Sequence, residues 1–151
     1  MRSGARSRGF TLTELMIVVA VAAALTAAAL PAYSDFVRNQ RVKTASFDVF
    51  STLVYARSEA VTRNASVTVT PTGGNWASGW TVTATGGAVL RSQDALPAIT
   101  IAGPATVVYT GTGRLSASVG TFQLTATGGG ITTRCVTIDL SGRPVTKATA
   151  C

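Results

Sequence analysis

The chain has 151 residues, with 13 Lys plus Arg against 6 Asp plus Glu, a net charge of +7 and no histidine. Without histidine there is no Ser-His-Asp or Cys-His arrangement and no imidazole metal ligand, and two cysteines cannot build a four-Cys zinc site in one chain. No G-x-x-x-x-G-K-[ST] loop occurs, so no catalytic residue, metal or cofactor is expected, and the length allows one domain with at most an anchor.

Residues 1–9 hold Arg2, Arg6 and Arg8 and no acid. The run LMIVVAVAAALTAAAL at 15–30 then carries no charge. From Phe10 to Ala32 the chain is mostly apolar for 23 residues. As a helix that is roughly 34 Å, enough to cross a bilayer core. The arginines keep its N-terminal end cytoplasmic and send the remainder outward. A cleaved signal peptide and an ordinary anchor are the competing readings. The polar entry Thr11-Leu12-Thr13-Glu14 argues against the first. The second leaves Glu14 unexplained, because an acid at the edge of an apolar helix is costly in lipid and marks function.

Pro31 follows the run, and proline inside a helix removes a hydrogen bond and kinks it. Beyond it Val42, Ala45, Val49, Leu53, Ala56 and Ala60 recur at steps of three or four. Phe47, Phe50, Val54 and Val61 widen the stripe and are expected in the core, with the face packed on a sheet. Arg57 to Asn64 is a mixed polar end with Asn64 as the C-terminal cap. The helix so predicted runs from Phe10 to Asn64.

Composition changes at Asn64. Residues 65–151 hold 18 threonines and 13 glycines, which favour strands and turns. Alternation over 66–70, 80–85, 106–110, 121–127 and 134–140 predicts an antiparallel β-rich head of about six to eight strands. The fold class is α+β, a long helix packed on an antiparallel head. Low complexity is the rival reading. Against it stand Trp76, Trp80, Val82, Leu90, Ile99, Ile101, Val107, Val108, Phe122, Leu124, Ile131, Val136, Ile138 and Leu140, enough for a small core. The only acids of the head, Asp94 and Asp139, read as a turn residue and a strand-end residue.

Cys135 and Cys151 lie in the part expected outside the cytoplasm, where disulfides persist. A bridge is expected; it would fix the chain end to a strand and add about 3 kcal/mol through chain entropy. Two free thiols are the alternative.

Arg8-Gly9-Phe10-Thr11-Leu12-Thr13-Glu14 resembles the class III signal of type IV pilins and pseudopilins. The resemblance implies a leader over 1–9, cleavage by prepilin peptidase between Gly9 and Phe10, and N-methylation of Phe10. It also implies pairing of Glu14 with a neighbouring subunit's terminal amine, and a bend at Pro31. The domains follow as 1–9 leader, 10–36 transmembrane and filament-core helix, 37–64 amphipathic helix, and 65–151 β-rich head. RSEAVTRN at 57–64, GNWASGW at 74–80 and CVTIDLSGRP at 135–144 narrow the resemblance to the FimT/GspH family of minor pilins.

For the FimT branch the resemblance implies DNA binding in natural transformation through a G-R-x-R loop. Gly142 and Arg143 match, Val145 stands where the second arginine would be, and Lys147 is a displaced substitute. Arg134 sits near in sequence on the preceding strand, and Arg114 is expected to approach in space. Phosphate contacts of this kind are sequence-independent and salt-sensitive. Trp76 and Trp80 are expected to pack inside rather than stack on bases. The alternative branch is an H-type minor pseudopilin of type II secretion. The implied partners are other pilins, prepilin peptidase, the inner membrane and DNA, with the head in the periplasm and then the pilus.

Overall fold

The computed structural model describes residues 10–128 and 132–151. Helix α1 spans Leu12–Arg63. Thr11 caps it: its side-chain oxygen accepts the Glu14 N–H at 3.2 Å. Its carbonyl takes the Leu15 N–H. Thr11-x-x-Glu14 has capping-box spacing, and Glu14 falls in the first turn, where the helix dipole favours a carboxylate. At the other end Asn64 adopts φ 47°. The Asn64 N–H donates to Val61 O and the Ala65 N–H to Ala60 O, both at 3.2 Å. That is the paired closure of a Schellman end, with asparagine tolerating the left-handed position usually given to glycine. The helical backbone is unbroken at Pro31, so the proline does not end the helix.

The chain divides into two compact units between Phe36 and Val37. In the first, the described side chains of the apolar stretch are exposed, and the stretch is long and apolar enough to cross a membrane. The second unit contains the core. Val42, Ala45, Val49, Leu53, Ala56 and Ala60 are buried, as their spacing predicted. The wider stripe is corrected. Phe47, Val54 and Val61 are exposed, Phe47 to 66%, and Phe50 is half-buried. At 3.6 residues per turn the three exposed positions lie roughly 115–155° around the helix from the middle of the buried stripe, off the face that packs on the core.

Eight strands occur among the described residues. They are β1 Val67–Pro71, β2 Trp80–Ala84, β3 Val89–Gln93, β4 Ile99–Ala102, β5 Val107–Tyr109, β6 Phe122–Ala126, β7 Arg134–Ile138 and β8 Pro144–Lys147. Two four-stranded sheets result, ordered β3-β2-β1-β5 and β4-β6-β7-β8. Every pairing is antiparallel.

The core joins both sheets to the helix. Trp76 meets Phe122 edge-on with ring centroids 4.8 Å apart. The Trp80 indole N–H donates to Thr52 Oγ1 at 3.1 Å, linking β2 to α1. The Trp76 indole N–H donates to the Pro104 carbonyl at 2.7 Å. Both tryptophans are buried, so neither ring is presented for base stacking. Of the predicted core, Leu140 is exposed because it sits in a turn. Leu90, Val108 and Ile138 are half-buried, and Ile131 lies outside the described residues. Tyr109, inside the alternating stretch 106–110, and Leu115 are buried core residues absent from the predicted core.

Candidate functional site

The basic C-terminal segment is a hairpin, β7 and β8 joined by Asp139–Arg143. One carboxylate shapes the turn. Asp139 Oδ1 accepts the Arg143 N–H at 3.1 Å and the Ser141 hydroxyl. The Asp139 carbonyl accepts the Gly142 N–H at 2.9 Å. The Ser141 hydrogen bond, then the Arg143 backbone, hold the Asp139 carboxyl below the usual range. Arg143 is exposed at the end of this turn.

Gly142 is required where it stands. Its φ is +81°, and a Cβ there would overlap the Gly113 carbonyl oxygen and come within 3.0 Å of the Tyr109 ring. The turn therefore sits on the loop Thr110–Arg114. That loop is closed by the Thr110 N–H on Arg114 O and the Gly113 N–H on Thr110 O, both at 2.8 Å. The Leu115 N–H reaches across to Leu140 O at 3.3 Å. Arg57 of α1 donates from Nε to the Gly113 carbonyl at 3.0 Å. Three segments bearing Arg57, Arg114 and Arg143 so converge on Gly113 and Gly142. Beneath them Tyr109 is buried, with no partner for its hydroxyl among the described residues. Burial raises its pKa above the ordinary tyrosine value, Arg57 opposing and Asp139 adding to the rise.

Arg114 thus comes close in backbone terms, as expected. Arg57 was not foreseen, because nothing local marks a helix residue that bonds a loop 56 positions away.

The other cations separate. Lys147 pairs in register with Cys135, and Thr146 with Val136. Side chains alternate along a strand, so Lys147 shares a face with Cys135 and Thr137. There it borders a recess of about 270 Å³ with Thr121, Thr149 and Cys151. Arg134 is on the opposite face with Val136 and Thr146, turned toward α1. Arg143 precedes Lys147 by four residues, ~13 Å of extended strand. Arg143, Lys147 and Arg134 therefore occupy three locations on one hairpin. Cys135 and Cys151 form a disulfide, Cα to Cα 5.1 Å, which fastens the chain end beside Lys147.

Toward the N-terminus of the chain, Gly9 lies outside the described residues, Phe10 is exposed, and Glu14 is exposed in the first helical turn. Among the described residues no group of three or more His, Cys, Asp or Glu is placed to hold a metal.

Residues 45–142 match the family model described as Type II transport protein GspH. The chain belongs to the GspH family. Residues 4–30 of this GspH-family chain also match the Prokaryotic N-terminal methylation motif. Over 38 residues it is 53% identical to a Fimbrial protein of Moraxella nonliquefaciens, covering 25% of each chain. The same figures hold against the Type IV major pilin protein PilE1 of Neisseria gonorrhoeae, where 23% of that protein is covered. The chain thus spans about a quarter of the length of these curated relatives. The fold matches the crystal structure of the Pseudomonas aeruginosa type IV minor pilin FimU, with a TM-score of 0.64 at 23% identity over 74% of this chain and 92% of that one. The GspH-family head, the methylation motif and this fold make the chain a type IV pilin-like protein of the minor pilin or pseudopilin kind.

Proposed function

We propose that this chain is a minor pilin of FimT type that enters a type IV pilus and binds DNA without sequence preference during uptake. Prepilin peptidase cuts between Gly9 and Phe10, and Phe10 is then N-methylated. The apolar half of α1 anchors the chain in the inner membrane with its N-terminus cytoplasmic and its head periplasmic. Glu14 pairs with the terminal amine of a neighbouring pilin on assembly, neutralising two charges that an apolar setting penalises. Pro31 has no N–H for the Ala27 carbonyl, which leaves a point of bending when the helix enters a filament.

The observation that carries the DNA reading is the rigid, exposed seat of Arg143. Asp139 fixes the turn and Gly142 locks it to the Gly113 loop, beside Arg114 and Arg57. A cation held this way loses little entropy on meeting a phosphate. Lys147 and Arg134 add charge on the two faces of the same hairpin. A few phosphate contacts per subunit bind weakly, and several copies or neighbouring pilins supply avidity.

The test is a titration of the full chain in neutral detergent with short duplex DNA at two salt concentrations. Arg143→Ala with Lys147→Ala should weaken binding and flatten the salt dependence, by about 0.9 in logarithmic slope per lost phosphate contact. Unchanged binding by the double variant would sink the reading. The GspH description favours a second role, an H-type minor pseudopilin of type II secretion. Absence of DNA binding at low salt, with recovery alongside secretion pseudopilins, would establish that role instead.

A further inference from the structure

A groove of about 510 Å³ runs between α1 and the β7–β8 hairpin. Lys43, Phe47 and Phe50 line it from the helix, and Arg134 and Thr146 from the sheet. Its volume suits a small organic group. Four features set it apart from an ordinary gap. Phe47 is 66% exposed, a large aromatic face the core does not use. Arg134 Nε is shielded from solvent and has no hydrogen-bond partner among the described residues, so a buried donor is left over. Among the described residues no carboxylate lines the groove. Asp48, next to Phe47 in sequence, is turned about 100° around the helix, where it feels Arg91 of β3.

We infer that this groove holds a nucleotide unit of single-stranded DNA, with a base against Phe47 and its phosphate between Lys43 and Arg134. The inference rests on the DNA-binding reading of the hairpin and specifies the strand state that the hairpin prefers. Every base has a π-face, so an exposed aromatic ring flanked by cations takes single strands without sequence preference. A duplex keeps its bases stacked inside and cannot use Phe47. Continuity supports the same occupant. Thr146 borders the groove three residues after Arg143, ~10 Å along the strand, which is within reach of the next phosphates of one chain. Two cations without an acid fit a polyanion better than a protein surface of mixed charge.

The experiment is fluorescence anisotropy of the full chain in neutral detergent with a short labelled oligothymidylate and, separately, a short duplex. Phe47→Ala should weaken the oligothymidylate about tenfold and the duplex less than about twofold, and Phe47→Trp should restore single-strand binding. Lys43→Ala should weaken the oligothymidylate and flatten its salt dependence. Because Phe47 is exposed, its truncation should leave thermal unfolding in place. Single-strand binding within about twofold of the unaltered chain in Phe47→Ala, with a clear loss in the Arg143/Lys147 double variant, would overturn the groove and leave the DNA reading standing. The same unchanged binding with reduced cross-linking to a second copy or another pilin would give the groove to a protein and also overturn it. Failure of the unaltered chain to hold either DNA would remove both readings.

Discussion

Helix α1 behaves as two regions on one backbone. From Leu12 to Phe36 its described side chains are almost all exposed, whereas from Val42 to Ala60 it buries a stripe at helical spacing. The first region is apolar around its whole circumference, which demands an apolar environment on every side. The second is apolar on one face and finds its partner within the same chain. Composition alone does not separate a segment that folds into its own core from one that needs a bilayer or other subunits. Periodicity does.

One residue type tests that difference most sharply. Leu53 is 1% exposed in the core, and Leu25 is 67% exposed in the apolar half. Leu53→Ala should cost about 2–5 kcal/mol of head stability, up to the larger value if the cavity cannot collapse. Leu25→Ala should leave unfolding of the head unchanged. Denaturant unfolding of both full-length variants in detergent, followed by near-ultraviolet circular dichroism, checks this. Equal losses would mean that the two regions are not independent.

The chain end provides a second contrast, since Ala148–Cys151 is as exposed as the apolar helix yet is held in place. The restraint is covalent. Cys135 and Cys151 are 16 residues apart, and a loop of that size gives about 3 kcal/mol in the chain-entropy picture. Cys135→Ser with Cys151→Ser should lower stability by about that amount. A change near zero would show that the last residues dock without the bond.

The architecture was legible where a pattern has a period. The 3.6-residue stripe placed the helix face, and alternation placed β1, β2, β5, β6 and β7. Strands β3, β4 and β8 were harder for identifiable reasons. Strand β3 is largely exposed on a sheet edge. Strand β4 is four residues long, just after Pro97. Strand β8 begins with proline and depends on pairing with β7. The basic site was legible in type but not in arrangement. Arg134 and Lys147 are close in sequence to Arg143, but strand register puts them on opposite faces. Phe47 looked like core because it is a large apolar side chain amid buried positions, but it lies roughly 155° around the helix from the middle of the buried stripe, whose width is set by the sheets, not by the helix.

Gly142→Ala separates the turn from the charge it carries. The left-handed φ and the collision with the Gly113 carbonyl should cost about 1–3 kcal/mol. The variant keeps every cation, so any fall in DNA affinity measures the value of holding Arg143 still. Unaltered affinity in a folded variant would show that charge without positioning is enough.

The smallest effects are those of pH, and they set two residues of this site against each other. Tyr109 is buried with a raised pKa. Its contribution to stability is full below the unfolded value of about 10 and is lost as pH rises from there through the folded value. Tyr109→Phe should flatten that alkaline limb at little cost near neutrality, because the hydroxyl it removes has no partner among the described residues. Asp139 has a lowered pKa, so the sign reverses. Its contribution is present above the unfolded value of about 3.9 and is lost as pH falls through the folded one. Asp139→Asn should flatten the acid limb, and the effect should be the smaller of the two because this carboxylate is solvent-exposed and screened. Thermal midpoints from acid to alkaline pH read both limbs in one series. An unchanged acid limb in Asp139→Asn would mean that the backbone of the turn, seated by Gly142, holds Arg143 without the carboxylate.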